Sequence, residues 1–110
     1  EFVPAYRARV NYTPRLGSCL GYVVVYLIRD MLEKAGSTDT EAMIKALEDL
    51  PFETIVGPAV MRGIDNQATL GAWVGETTVK GRQGSMKSFR YADGKDYMHP
   101  EAEVKAARKD

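Results

Sequence analysis

The sequence predicts a mixed α/β fold, a helix pair followed by several strands, and three observations carry that prediction. Leu20, Val23, Val24, Leu27, Ile28, Met31 and Leu32 recur at alternating spacings of three and one, the period of a broad helical face. "AGSTDTEAM" then stops one helix at a glycine and restarts another from a capping residue. Beyond Pro51 the helical period is lost, and β-rich stretches interrupted by glycines take over.

The elements follow in order. Phe2, Tyr6 and Val10 stand at i, i+4 and i+8, so a short helix ends near Val10, with Pro4 tolerated in its first turn. "NYTPRLGS" is a connector, because Pro14 disfavours helix at Thr13 and Gly17 with Ser18 offers a turn and an N-cap. The next helix is expected over 18–35. Its three consecutive valines would suit a strand, but "LIRDMLEKAG" decides for helix through good helix formers, Lys34 in the last turn and Gly36 at the stop. Val25 and Tyr26 widen its apolar face, which predicts cover on more than one side.

A second helix is expected over 39–50. Either Thr38 with Glu41 forms a capping box or Asp39 caps, and Met43, Ala46, Leu47 and Leu50 form one stripe until Pro51. Strands are expected at 54–61 ("TIVGPAVM"), 70–79 ("LGAWVGETTV") and 86–91 ("MKSFRY"), with "KGRQGS" as a hairpin loop. "ADGKD" is a turn, and "HPEAEVKAARKD" forms a frayed final helix.

The totals bound the function. At 110 residues, with 45% hydrophobic and 27% charged, the chain is one modest globular domain or a piece of a larger one. Fifteen basic residues balance fifteen acidic ones, which leaves no overall field to draw nucleic acid or an anionic membrane. The single cysteine, Cys19, excludes an internal disulfide and a multi-cysteine zinc site. The chain begins in mid-pattern at "EFVPAY" and reads as a fragment, with any export signal upstream of Glu1.

No residue cluster suggests catalysis. His99, the only histidine, has no second ligand at metal spacing and reads as a surface residue; no metal or cofactor is expected. Cys19 lies where a helix dipole could activate a thiol, yet a buried small hydrophobe is the better reading. A small thiol enzyme is the hypothesis that would compete. The acid pairs Glu48/Asp49 and Asp93/Asp96 fall at a helix end and a turn, where carboxylates cap and solvate. Trp73, Tyr22, Tyr26 and Tyr91 either stack on a ligand or pack. Arg62, Asp65 and Gln67 in "MRGIDNQ" read as a turn stitched by side-chain hydrogen bonds. Arg15, in a Pro/Gly connector, either faces a carboxylate-bearing ligand through a bidentate fork or faces solvent.

The ordered set "FVPAYRARVNYTP", "GYVVVYLIRDMLEKAGSTDTEAMIKALEDLPFETIVGP" and "VMRGIDNQATLGAWVGETT" resembles the C-terminal part of type 1 periplasmic binding proteins, the solute receptors of ABC importers in the branched-chain amino acid class. The resemblance reaches nearly to Tyr91 and covers about the last third of such a receptor. It implies two α/β lobes joined by crossover strands, with ligand held between them. Helices 18–50 would then belong to the first lobe and strands 54–91 to the second, with the chain crossing near Val56–Pro58. By position it implies ligand contact at Arg15, Leu16, Gly17 and Ser18, with Cys19 at the margin. The implied ligand is a small carboxylate, an amino acid or an aromatic acid; "PRLGS" lacks the aromatic residue that amino-acid receptors place there, which counts against a branched-chain amino acid and leaves an aromatic or other small carboxylate open. The implied partners are a small-molecule ligand, an ABC transporter permease, and the remainder of the same receptor or a second copy. The implied location is the periplasm. A ligand-sensing regulatory receptor domain of the same fold is the alternative.

Overall fold

Short-range sequence signals place the helices. The computed structural model describes residues 2–108. Helix α1 spans Phe2–Val10 and closes with Asn11 N–H bonded to Arg7 O. Helix α2 runs Leu16–Ala35 and stops at Gly36, whose φ is 59° and whose N–H bonds to Leu32 O. Helix α3, Thr40–Leu47, is capped by Asp39, which accepts from Ala42 N–H at 3.0 Å; of the two capping candidates Asp39 takes the role.

Two helix limits differ from expectation. Helix α2 begins two residues early, so Gly17 and Ser18 lie in its first turn rather than ahead of it; the extended residue at its start is Arg15, with φ −108° and ψ 176°. Helix α3 ends at Leu47 rather than Leu50, because Asp49 adopts φ 51° and Pro51 holds Leu50 extended. Leu50 is still buried, but as the first residue of a strand.

The segment expected as one strand over 54–61 is a hairpin. Strand β1, Leu50–Thr54, pairs antiparallel with β2, Gly57–Arg62, from Leu50↔Met61 to Thr54↔Gly57. Thr54 Oγ1 ties the turn by donating to Gly57 O at 2.6 Å and accepting from Val56 N–H at 3.1 Å. The chain therefore reverses at Ile55–Val56. A two-residue strand β3, Gln67–Ala68, completes this sheet in the order β1-β2-β3.

A second, separate sheet consists of β4, Ala72–Lys80, and β5, Gln83–Ala92. The expected six-residue loop between them tightens to Gly81 and Arg82, with φ of 56° and 67°, the pair of positive values that a two-residue hairpin turn needs. A bulge shifts the register between Val74 and Glu76. A 3₁₀ turn, Gly94–Tyr97, leads to α4, Glu101–Ala107; the last two residues of the expected final helix lie outside the described residues.

The core is small. Val23 of α2, Phe52 of β1 and Ala59 of β2 form its buried centre, flanked by Leu27, Met61, Ala68 and Leu70. The alternation that buries Leu50 and Phe52 while exposing Pro51 and Glu53 puts one face of β1 on that cluster. The apolar face of α2 is much wider than this core can cover: Leu20, Val24, Val25 and Ile28 are exposed. A radius of gyration of 17.2 Å exceeds the roughly 13 Å of a compact domain of this length. The accessible surface, 8490 Å², likewise exceeds the roughly 6,000 Å² expected of a compact chain this size.

Candidate functional site

The start of α2 gathers the five expected ligand residues on one turn. Arg15 occupies the N-cap position, and its carbonyl accepts from Cys19 N–H at 3.1 Å. Its side chain makes no capping bond, so the first-turn N–H groups stay open to an external acceptor. The Arg15 side chain is exposed and has no ion-pair partner among the described residues. Leu16 is 73% exposed. A Cβ at Gly17 would meet nothing within 4 Å, so this side of the turn is unobstructed.

Ser18 and Cys19 are less accessible. Both are half-buried, and Cys19 is a free thiol. Ser18 Oγ donates to Tyr6 Oη at 3.0 Å rather than capping the helix, and this donor holds the Tyr6 phenol below its usual pKa. The hydroxyls of Tyr6 and Tyr12 share a hydrogen bond of 3.3 Å, and Arg7 Nη2 donates to Thr13 Oγ1 at 2.7 Å. Two such ties fasten the connector 11–15 back onto α1. Of the five residues, Arg15, Leu16 and Gly17 thus form an open polar-apolar edge, while Ser18 and Cys19 are half-buried.

Sequence reasoning missed what lies beside this turn. Phe2, Tyr22 and Tyr26 form a continuous aromatic run, with ring centroids 4.7 Å apart for Phe2–Tyr22 and 4.6 Å for Tyr22–Tyr26. Arg29 lies 4.7 Å over the Tyr26 ring. Phe2, Ala5, Tyr6, Arg9, Tyr22 and Tyr26 line an open cleft of about 570 Å³ between α1 and α2. The matching four-residue spacings of Phe2/Tyr6 and Tyr22/Tyr26 were the signal available; that the two stripes face each other is a tertiary fact.

The other singled-out residues take structural places. Arg62 bonds both oxygens of Asp65, and Asp65 accepts from Gln67 N–H at 3.3 Å, the stitched turn that was expected. Arg62 Nη1 also donates to His99 O at 2.9 Å. The His99 ring is exposed, 3.2 Å from Glu103. Trp73 packs against Phe89 and Tyr91. Among the described residues no group of three or more His, Cys, Asp or Glu could hold a metal ion. No helix among them is long and apolar enough to cross a membrane.

The chain is thus mixed α/β, with a thin core, wide uncovered helix faces and an open start to α2. Residues 1–83 match the family described as periplasmic binding protein, and the chain belongs to that family. Among solved structures, that of an ABC-type branched-chain amino acid transporter from Rhodopseudomonas palustris CGA009 is similar, with a TM-score of 0.78 and 26% identity over 86% of this chain. The present chain spans 26% of that protein's length, so its fold is that of part of a periplasmic binding protein. No match is found among curated proteins.

Proposed function

We propose that this chain is part of the solute-binding component of an ABC importer, and that its first α2 turn contacts a small carboxylate-bearing ligand, an amino acid or an aromatic acid, held between two lobes. Family membership over residues 1–83 carries the reading, supported by the similarity to an ABC-type branched-chain amino acid transporter. In this reading the protein binds and releases its ligand unchanged, works in the periplasm and hands the ligand to a permease.

The local chemistry suits a carboxylate. Arg15 brings a guanidinium to the start of α2, where the helix dipole and the open N–H groups also favour negative charge. Leu16 offers an apolar surface beside them, and the missing side chain at Gly17 lets a ligand approach the backbone. In this reading helices α2 and α3 belong to the first lobe and the strands within 54–91 to the second.

The test is a thermal-shift screen of a receptor carrying this segment in its complete two-lobed setting, against branched-chain and other amino acids and aromatic acids. A ligand-dependent rise in Tm is expected for at least one carboxylate. No shift across the panel overturns the proposal. The 110-residue chain alone is expected to bind none of these ligands at micromolar concentration, because one wall of a cleft supplies few of the polar contacts.

A further inference from the structure

Tyr6 sits where α1, the connector and α2 meet. Its phenol oxygen accepts from Ser18 Oγ at 3.0 Å and donates to Tyr12 Oη at 3.3 Å, so the protons run one way, from α2 through α1 to the connector. The Tyr12 ring stands edge-on to the Tyr6 ring with 5.7 Å between centroids, and Arg7, one residue on, donates to Thr13 Oγ1 at 2.7 Å. Asn11, in the left-handed region at φ 57°, ends α1 and redirects the chain into this arrangement.

Arg15 lies between these anchors, three residues after Tyr12 and three before Ser18. Its own side chain makes no capping bond and has no ion-pair partner among the described residues. Its backbone is held from α2 by Cys19 N–H on its carbonyl, and from α1 through the Tyr12 and Thr13 contacts. Counting protons then separates two roles at Ser18. A hydroxyl has one proton, and that of Ser18 goes to Tyr6; a ligand carboxylate accepts hydrogen bonds and donates none. Ser18 therefore has no proton to offer the ligand while the Tyr6 bond stands.

On the reading that Arg15 meets a ligand carboxylate, we infer that Tyr6 is a positioning residue for Arg15, acting through Ser18 and Tyr12, and that Ser18 serves the ligand turn by holding Tyr6 rather than by touching the ligand. A guanidinium whose backbone is fixed before the ligand arrives loses less freedom on binding, which strengthens binding without adding a contact. Tyr6 is half-buried and Tyr12 exposed, so water can take over the hydrogen bonds of a lost Tyr6 hydroxyl and the fold survives. Separate waters do not tie the three segments together.

Calorimetric titration of a complete receptor carrying this segment, with L-leucine, L-phenylalanine and benzoate as probes, tests this on the wild type, Tyr6→Phe, Arg15→Ala and the double variant. Tyr6→Phe keeps the ring beside Phe2 and Tyr12 and removes only the hydroxyl. It is expected to weaken binding about three- to tenfold, but less than about twofold when Arg15 is already alanine, because it acts through Arg15. Adding Ser18→Ala to Tyr6→Phe is expected to weaken binding no further. Trypsin should cut the unliganded receptor after Arg15 faster in Tyr6→Phe than in the wild type, and after Lys45 of α3 at an unchanged rate, which reads the loosened connector without a ligand. An equal loss with and without Arg15 makes the role of Tyr6 merely structural, an additive loss with Ser18→Ala puts Ser18 on the ligand, and unchanged binding or unchanged cutting in Tyr6→Phe shows a connector that does not need it. Each overturns the inference while the carboxylate reading stands. Undiminished binding by Arg15→Ala, or no binding of any probe, overturns that reading and this inference with it.

Discussion

Arg62 holds Asp65 with two nitrogens, Nε to Oδ1 at 3.0 Å and Nη2 to Oδ2, and spends a third on His99 O, 37 residues away in sequence. The pair rigidifies the turn between β2 and β3, while the third bond ties the C-terminal segment to it, helped by Arg108 donating to Ile64 O. Arg62→Ala is therefore expected to lower Tm more than Asp65→Asn, since only the first also releases the tail. Proteolysis near His99 should accelerate in Arg62→Ala and not in Asp65→Asn.

The same pair sets an acid dependence. The Arg62 hydrogen bond holds the Asp65 carboxyl below its ordinary value. A carboxylate depressed in the folded state contributes stability that is complete above its unfolded pKa, about 3.9, and lost as pH falls through the lower folded value. Denaturation curves below about pH 4 should thus fall less steeply for Asp65→Asn than for the wild type. Equal slopes would assign the acid limb to other carboxylates, Asp93 beside Lys95 being the next in line.

Tyr91 fills a notch that exists because residue 71 has no side chain: a Cβ there would overlap the phenol and Ala92 O. Gly71→Ala should cost roughly 1–3 kcal/mol through overpacking. The Tyr91 hydroxyl is buried with no hydrogen-bond partner among the described residues, so Tyr91→Phe should stabilise by about 1 kcal/mol. Urea unfolding monitored by Trp73, against which Tyr91 packs, measures both.

Capping at α3 separates two adjacent candidates. Asp39→Ala should cost about 1 kcal/mol, because Asp39 supplies the bond to Ala42 N–H, whereas Thr38→Ala should be nearly neutral. Loss of stability in Thr38→Ala but not in Asp39→Ala, by chemical denaturation, would contradict the observed cap.

At the ligand turn, Arg15→Ala is expected to weaken carboxylate binding by the complete receptor at least tenfold without lowering the Tm of the unliganded protein, because its guanidinium pairs with no carboxylate among the described residues. Calorimetric titration of both proteins with one carboxylate ligand decides it.

The sequence by itself determined what depends on near neighbours. Helical periodicity, the glycine stop at 36, the α3 cap region and the Arg62–Asp65–Gln67 turn all act within a few residues, and the order of segments sufficed to place the chain in its family. Tertiary structure decided the rest. Leu50 left its helical stripe because a strand partner in Met61 and a buried place beside the core were available, and no local propensity encodes either. Ser18 left its cap because Tyr6, twelve residues away, offered a hydroxyl. The division of the strands into two sheets, and the seating of Tyr91 against Gly57 and Gly71, likewise depend on contacts between distant residues. Such contacts form only when the folded chain returns the entropy lost in closing long loops, and a linear pattern carries no record of which pairs do so.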